Sequence, residues 1–200
     1  EIVDPSTLTS LIATRELAKY PASTIIHNLI TSKAVPEIVN EHGGTPVRTR
    51  VGHSYIKATM AETNAVFGGE HSGHFYFRDF WKADSGMLAA MHTLAALGET
   101  ESGVKLSELL QPFNRYVASG EINTKVSDAA RVIDVIKQIF ADRGATLDTL
   151  DGLTVSEANW WFNLRASNTE PLLRLNVEGN DRSTMETVRD EVLQLMKAES

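Results

Sequence analysis

Short apolar segments alternate with helix-forming segments along the first half of the chain, and this alternation limits the possible folds more than any other feature. Thr24 to Leu29 is an apolar run with β-branched residues, which predicts a buried strand. Helical patterns flank it, one beginning at Asp4 and one covering Lys33 to His42. A long helix is predicted from Asp84 to Leu97. Strands that alternate with helices predict a layered α/β domain.

The second half has a different pattern. Asp151-Gly152 is a hairpin signal, and two segments with alternating apolar residues, 159–165 and 173–177, are expected to pair as a further hairpin. A strand and a helix precede them, and Asp181 caps a final helix. The order strand, helix, three strands, helix predicts a small antiparallel sheet covered by two helices, which is an α+β domain.

We therefore predict two domains. A chain of 200 residues is long enough for one large domain or two small ones. The change of pattern favours two, an α/β domain over residues 1–110 followed by an α+β domain over residues 111–200.

Composition excludes several classes of function. The chain has no cysteine, which excludes disulfides, thiolate zinc sites and cysteine nucleophiles. Its formal net charge is −7 with scattered basic residues, so nucleic acid is not an expected partner. No apolar run approaches the roughly 18 residues of a membrane span. We expect a soluble, cytoplasmic protein that acts on a small molecule. Because the first residue is Glu1 rather than Met, we interpret the chain as part of a longer polypeptide.

The most unusual segment is Gly68-Gly69-Glu70-His71-Ser72-Gly73-His74, which follows a short predicted strand at residues 65–67. If the segment is extended, Glu70, Ser72 and His74 project to one side. A carboxylate accepts hydrogen bonds from hydroxyls, and an imidazole moves a proton near neutral pH. This set suits a polyol such as a sugar.

Two other interpretations of the segment stay open. It is compatible with a glycine-rich turn whose polar residues are merely solvated. It is also compatible with a metal site of a hydrolase, whose candidate ligands are Glu70, His71, His74, and His53 or Asp84.

The second segment is Arg165-Ala166-Ser167-Asn168-Thr169-Glu170-Pro171, in the loop of the predicted hairpin. The planar fork of Arg165 matches phosphate oxygens, and Ser167, Asn168 and Thr169 add neutral donors. This set predicts a site for a terminal phosphate. An ordinary turn is the alternative, since Ser, Asn and Thr are common turn residues.

A third feature, Gly52-His53-Ser54, lies at the start of a predicted helix. Unpaired amides at a helix start favour anions, and Lys57 follows one turn later on the face of His53. A histidine with a structural role is the alternative.

These three segments, in their order and spacing, resemble the α-D-phosphohexomutase superfamily, in its phosphomannomutase/phosphoglucomutase branch. The resemblance runs over the whole chain and includes Ser119-Gly120-Glu121-Ile122-Asn123. Members of the family have four domains around a central cleft, and this chain resembles the third and fourth.

The resemblance implies a role for each candidate residue. Glu70 and Ser72 would hold sugar hydroxyls. His74 would assist proton transfer at the reacting hydroxyl, with His53 close by. The phosphate that is not being transferred would be held by Arg165, Ser167, Asn168 and Thr169. Many relatives carry a lysine where this chain has Ile30, and Lys33 is a candidate substitute.

The resemblance also implies parts that this sequence lacks. The first domain would carry a phosphoserine and the second an aspartate-rich loop that holds Mg²⁺. The implied function is the substrate-binding C-terminal half of a phosphomannomutase, which interconverts mannose 6-phosphate and mannose 1-phosphate through a bisphosphate. Its partners would be the hexose phosphate and the N-terminal domains of the same polypeptide, and the chain alone is predicted to be inactive.

Three alternatives to this function stay open. They are a phosphoglucomutase fragment, a phosphoglucosamine mutase fragment and a non-catalytic phosphosugar-binding module. The resemblance favours mannose or glucose phosphate over glucosamine phosphate, because phosphoglucosamine mutases tend to have Gln at the position of His71 and Gly at that of Asn168.

Overall fold

The computed structural model describes residues 2–167 and 170–198, and the chain forms two compact units. The first unit ends at Arg115 and the second begins at Tyr116. This boundary lies five residues beyond the predicted junction at 110/111, because a 3₁₀ turn over Gln111–Phe113 continues the first unit. Phe113 packs with Leu110 in one apolar cluster of that unit. The guanidinium of Arg115 binds the carboxylate of Glu41 at 2.6 Å.

The first unit is an α/β domain, as the alternation of helix and strand predicts. Its helices are α1 (Pro5–Lys19), α2 (Ala34–Glu41), α3 (His53–Thr63), α4 (Gly86–Gly98) and α5 (Leu106–Leu110). Its strands are β1 (Thr24–Asn28), β2 (Thr45–Thr49), β3 (Phe67–Gly69), β4 (Phe75–Phe77) and β5 (Ala83–Asp84). The sheet order is β2-β1-β3-β4-β5, with parallel pairing among β2, β1 and β3 and antiparallel pairing beyond β3.

Local sequence explains where the helices of this unit begin. The Asp4 carboxylate accepts a hydrogen bond from the backbone N–H of Ser6 at 2.7 Å, and the Ser85 hydroxyl accepts one from Leu88 at 3.2 Å. Such N-caps satisfy amides that have no partner within the helix. The predicted strand at residues 65–67 is shifted, because β3 begins only at Phe67.

The central strand β1 is buried on both faces. Ile25 packs in the cluster that contains Leu17 of α1, whereas Ile26 packs with Ile56 of α3. Because successive side chains of a strand point to opposite faces, helices cover both sides of this sheet. α1 approaches so closely that a Cβ on Gly69 would lie 2.2 Å from the hydroxyl oxygen of Thr9.

One buried histidine makes the first unit sensitive to acid. Burial lowers the pKa of His27 from 6.5 to about 4, and the positive charge of Arg48 acts in the same direction. The unfolded chain therefore takes up a proton near pH 6.5, whereas the folded chain resists it until about pH 4. Stability from the neutral imidazole is complete above pH 6.5 and is lost as the pH falls towards 4.

We expect the His27→Gln variant to lose less stability on acidification than the unmodified chain. The difference should be about 2 kcal/mol between pH 7 and pH 5. Urea unfolding at the two pH values, followed through the amide NMR signals of β1, measures it. His42→Gln is the matched control, since His42 is exposed. Equal pH responses of the His27→Gln variant and the unmodified chain would contradict the assignment.

The second unit is an α+β domain with an antiparallel sheet. Its elements are β6 (Val117–Lys125), α6 (Ala129–Asp142), β7 (Thr146–Asp148), β8 (Leu153–Ser156), β9 (Trp160–Ala166), β10 (Leu172–Gly179) and α7 (Arg182–Ala198). The strand order is β6-β10-β9-β8-β7. The sheet has one strand more than the predicted pattern, because the hairpin at Asp151-Gly152 forms two strands, β7 and β8. Gly152 has φ +72°, and a Cβ there would lie 2.4 Å from the carbonyl oxygen of Leu164.

The two faces of this sheet differ in chemistry. Both helices pack on one face, where the buried apolar core consists of Val126, Val132, Ile136, Phe140, Leu153, Val155, Phe162, Leu164, Leu173, Leu175, Val177, Met185, Val188, Val192 and Met196. The opposite face carries polar side chains. There Trp161 is buried and its Nε1–H donates to the Glu178 carboxylate at 2.7 Å.

Within the described part of the chain, we find no helix with the length and apolar character needed to cross a bilayer.

Candidate functional site

The candidate residues of the first unit gather at one edge of its sheet. The parallel strands β1, β2 and β3 end at Asn28, Thr49 and Gly69. His53 begins α3 after β2, and Glu70 follows β3 directly. In open α/β sheets, ligands bind outside the carboxyl ends of the parallel strands. The topology therefore places these residues where such a fold has its binding crevice.

The glycine-rich segment is a tight turn between β3 and β4. The backbone N–H of Glu70 donates to the carbonyl of His74 at 2.9 Å, and that of Gly73 donates to the carbonyl of Glu70 at 3.0 Å. The extended arrangement, with Glu70, Ser72 and His74 on one side, is therefore wrong. Antiparallel pairing of β3 with β4 turns the chain back, and Gly73 with φ +84° permits the turn. Glu70 is buried at 2% exposure, whereas Ser72 is exposed.

A buried hydrogen-bond network holds Glu70. The Tyr76 hydroxyl donates to Glu70 Oε1 at 2.6 Å, and the Asn28 amide donates to Oε2 at 3.3 Å. The Thr31 hydroxyl in turn contacts Asn28 Oδ1 at 2.9 Å. Burial raises the pKa of Tyr76, and the hydrogen bond to Glu70 raises it further. Because a carboxylate has about four acceptor positions, Glu70 can still accept hydrogen bonds from ligand hydroxyls.

Tyr76 also fixes the protonation of His53. Its hydroxyl oxygen lies 2.5 Å from His53 Nδ1. The single hydroxyl proton of Tyr76 is directed at Glu70, so His53 Nδ1 must donate its own proton to the tyrosine oxygen. The proton-accepting nitrogen of a neutral His53 is then Nε2.

Asp84 has the same effect on His74. His74 Nδ1 lies 2.7 Å from Asp84 Oδ2, and Asp84 Oδ1 accepts the backbone N–H of Phe75 at 2.8 Å. An ionised carboxylate only accepts, so His74 carries its proton on Nδ1 and presents Nε2 as the base. The rings of His53 and His74 stand 4.3 Å apart at 62°. Two imidazoles, each oriented by a neighbour, can move a proton to or from a bound hydroxyl.

The same residues form the one candidate metal cluster in the described ranges 2–167 and 170–198. Ligand atoms of His53, His74 and Asp84 lie within 4.8 Å of one another. The cluster does not include Glu70 or His71, which the sequence also offers as ligands. Two imidazoles and one carboxylate do not match the all-oxygen ligand set that Mg²⁺ prefers. These residues therefore do not fit a magnesium site.

The phosphate-site candidates lie in the second unit, at the β9–β10 hairpin. Arg165 is near the end of β9, and its side chain is 13% exposed. The backbone N–H of Ser167 donates to the carbonyl of Leu172 at 2.8 Å, which closes the hairpin. Asn168 and Thr169 lie outside the described residues.

The remaining candidates lie in the first unit. Ile30 is buried, whereas Lys33 is exposed at the start of α2. Lys57 is exposed on α3.

Sequence reasoning missed three members of the network, Tyr76, Asn28 and Thr31. Tyr76 lies in a short buried strand between two phenylalanines, and Asn28 is the last residue of the buried strand β1. A hydroxyl in the middle of Phe75-Tyr76-Phe77 is the signal that could have identified Tyr76, because a buried tyrosine hydroxyl usually needs a partner.

Two family models match the chain. The model of the phosphoglucomutase/phosphomannomutase α/β/α domain III matches residues 4–116, and the model of the C-terminal domain of the same family matches residues 121–195.

Curated relatives and solved structures agree with these matches. A phosphomannomutase of Methanocaldococcus jannaschii is 43% identical over 94% of this chain and 41% of its own length. The phosphohexose mutases of Xanthomonas campestris are 41% identical over 95% of this chain and 42% of their length. A family protein from Burkholderia thailandensis superposes with a TM-score of 0.85 at 28% identity, over the whole chain and 42% of that structure. The chain thus spans about two fifths of the length of these relatives.

Proposed function

Because the chain belongs to the phosphoglucomutase/phosphomannomutase family, we propose that it is the substrate-binding part of a mutase that interconverts mannose 6-phosphate and mannose 1-phosphate. The observation that carries this proposal is the cluster of Glu70, His53 and His74 at the carboxyl edge of the first sheet. A buried carboxylate beside two oriented imidazoles suits a sugar hydroxyl that must lose or gain a proton.

In the proposed reaction, a phosphoserine of the complete enzyme transfers its phosphoryl group to a hydroxyl of the hexose phosphate. The oxygen–phosphorus bond to the serine breaks and a new one forms to the sugar, while Nε2 of His74 accepts the hydroxyl proton and the serine oxygen takes up a proton from water. The bisphosphate then turns around and returns its other phosphoryl group to the serine, whose hydroxyl proton goes back to water, while His74 returns its proton to the sugar oxygen that is freed. Arg165 holds the phosphate that is not transferred, through a charge-assisted pair. Positioning and charge neutralisation supply most of the catalysis in such transfers.

We propose that the phosphoserine and Mg²⁺ belong to parts of the complete enzyme outside this chain. The sequence contains no Asp-x-Asp-x-Asp run, and the described cluster of potential ligands does not fit Mg²⁺. The chain alone should therefore bind hexose phosphate weakly and should not convert it.

Conversion of mannose 1-phosphate, followed by ³¹P NMR, tests this proposal. We expect the complete protein to convert it and the 200-residue chain to leave it unchanged. Glucose 1-phosphate in a parallel assay distinguishes a preference for mannose from one for glucose. If the complete protein does not convert mannose 1-phosphate, the proposed mutase activity is contradicted and a non-catalytic phosphosugar-binding module is favoured. Conversion by the chain alone would contradict its proposed inactivity.

A further inference from the structure

A small pocket of the first unit lies at the edge of the sheet opposite to the candidate active site. Phe77, which forms one of its walls, pairs with Phe67 at the start of β3, whereas the active-site turn follows the end of β3 at Gly69. The volume of the pocket is about 240 Å³, below the roughly 300–1,000 Å³ of pockets that hold drug-sized ligands. Phe77, Phe80 and Leu88 supply apolar walls. These dimensions suit a small organic molecule.

Glu16 of α1 brings a carboxylate to this pocket. The residue is 6% exposed and is one of the pocket's lining residues. The one ionisable group of the described residues within 4.0 Å of its carboxylate is His92, whose Nε2 lies 3.6 Å from Glu16 Oε1. That distance is too long for a good hydrogen bond. Because buried polar groups are almost always hydrogen-bonded, the carboxylate has acceptor positions for an occupant of the pocket.

The second carboxylate of the pocket, that of Asp79, is already satisfied. It accepts hydrogen bonds from the Tyr20 hydroxyl, from Lys19 Nζ at 3.3 Å and from Arg78 Nε at 3.2 Å. The two cations of this region are therefore held at Asp79 and not at Glu16. Burial raises the pKa of the Glu16 carboxyl above its ordinary value, although Lys19 and Arg78 act in the opposite direction. Their charges thus do not replace the hydration that this carboxylate loses.

His92 does not supply the missing positive charge either. Burial lowers the pKa of His92, and the positive charges of Arg15 and Lys19 lower it further, so the ring is neutral near pH 7. The His92 ring stacks on Phe77 with 5.3 Å between the ring centroids and 12° between the planes. The pocket therefore combines aromatic walls with a buried carboxylate that has no bound cation among the described residues.

We propose that this pocket binds the protonated form of a small primary amine, whose ammonium group pairs with Glu16. An ammonium group has three donors and no acceptor, which matches a carboxylate with free acceptor positions. Charge-assisted hydrogen bonds of this kind are roughly twice as strong as neutral ones. The apolar body of the amine lies against Phe77, Phe80 and Leu88, and aromatic rings also attract cations. The site is separate from the proposed mutase function and does not depend on it.

The walls of the pocket favour an organic cation over a metal ion. Hard cations such as Ca²⁺ and Mg²⁺ take about six or more oxygen ligands, which three apolar side chains cannot provide. In the described ranges, the one group of side chains with metal-ligand spacing is His53, His74 and Asp84 at the other edge of the sheet. An anion is excluded by the charge of Glu16.

Titration of the ¹⁵N-labelled 200-residue chain with benzylamine, which is protonated at pH 7, tests the inference at constant ionic strength. We expect the amide signals of Glu16, Phe77 and Leu88 to shift together, with one dissociation constant in the millimolar range or tighter. The signals of Glu70 and His74 should stay in place. Benzyl alcohol has the same ring without the charge, and it should bind roughly tenfold more weakly or worse.

Glu16→Gln removes the charge and keeps the size of the side chain. This variant should weaken benzylamine binding roughly tenfold or more and leave binding of benzyl alcohol nearly unchanged. Glu62→Gln is the matched control, since Glu62 is exposed on α3, and it should bind benzylamine like the unmodified chain. Because Glu16→Gln removes a buried charge that lacks a bound cation, it should stay folded, and its amide spectrum checks this.

A thermal melt gives a second readout. Benzylamine should raise the melting temperature of the unmodified chain and of Glu62→Gln, but not that of Glu16→Gln, because only a bound ligand stabilises the folded state.

Three results would overturn the inference. The first is the absence of a saturable shift at Glu16, Phe77 and Leu88. The second is equal affinity of Glu16→Gln and Glu62→Gln for benzylamine, and the third is benzyl alcohol binding as tightly as benzylamine. None of these measurements uses mutase activity, so their failure leaves the proposed function untouched.

Discussion

The His74→Gln variant of the complete enzyme is expected to lose about 100- to 10,000-fold in kcat with a much smaller change in KM. His74 is the imidazole whose Nδ1 is held by a carboxylate, so its Nε2 is ready to accept a proton. Glutamine can form hydrogen bonds at the same place but cannot take up the proton. Steady-state kinetics with mannose 1-phosphate, measured on the full-length protein, check this prediction.

The Asp84→Asn variant tests whether the His74 imidazole transfers a proton or only has to be correctly placed. The amide oxygen of the introduced side chain can still accept the Phe75 N–H, but an amide N–H directed at His74 favours the tautomer with the proton on Nε2. We expect kcat to fall. His92→Gln is a control at a partly buried histidine on α4, outside the site. Near-normal kcat in both His74→Gln and Asp84→Asn would exclude His74 as the proton acceptor.

Removal of the Arg165 guanidinium should mainly affect binding of the hexose phosphate. We expect Arg165→Ala to raise KM by roughly 10- to 100-fold, since a hydrogen bond to a charged group contributes about 1.5–3 kcal/mol. The side chain is largely buried, which strengthens its interaction with a phosphate. Steady-state kinetics and calorimetric titration with mannose 6-phosphate measure the change.

Arg182→Ala, on the exposed surface of α7, is the control for charge alone and should leave KM unchanged. A KM of Arg165→Ala equal to that of this control would contradict the assignment of Arg165 to the phosphate site.

Most of the fold could be predicted because the sequence patterns that specify its elements are local. The capping carboxylate of Asp4, the alternation along β9 and β10 and the turn at Asp151-Gly152 each act over a few residues. The prediction that the chain is α/β and then α+β is confirmed for that reason. The position of the junction depends instead on whether Phe113 packs in the core of the first unit or of the second, and no local sequence pattern shows this.

The geometry of the candidate site could be predicted only in part. The residue types identified Glu70 and His74, but the turn between them forms because β3 pairs with β4. β4 is aromatic at all three positions and gives no alternation signal. Tyr76 was missed for the same reason, although its hydroxyl joins Glu70 to His53. A contact between residues 23 positions apart is fixed by packing and not by any local pattern.

Alternation also predicts which residues of β9 share a face, but not whether that face is covered. Trp161 shares a face with Arg165 and could equally have been exposed, yet it is buried against Glu178. Asn163 is likewise fully buried. Whether a face of the sheet is buried depends on parts of the chain that are distant in sequence, and the local pattern does not show it.

Because the two faces of the second sheet differ in chemistry, substitutions on the two faces are expected to have different effects. Along β10, saturation mutagenesis should give a phenotype that switches at every residue. Changes at Leu173, Leu175 and Val177 are expected to reduce the yield of folded protein, whereas changes at Arg174, whose side chain is 31% exposed on the polar face, are expected to spare it. The position of a residue along β10 therefore decides whether its substitution disturbs the apolar core, so exposed positions of the polar face can diverge while the core is retained.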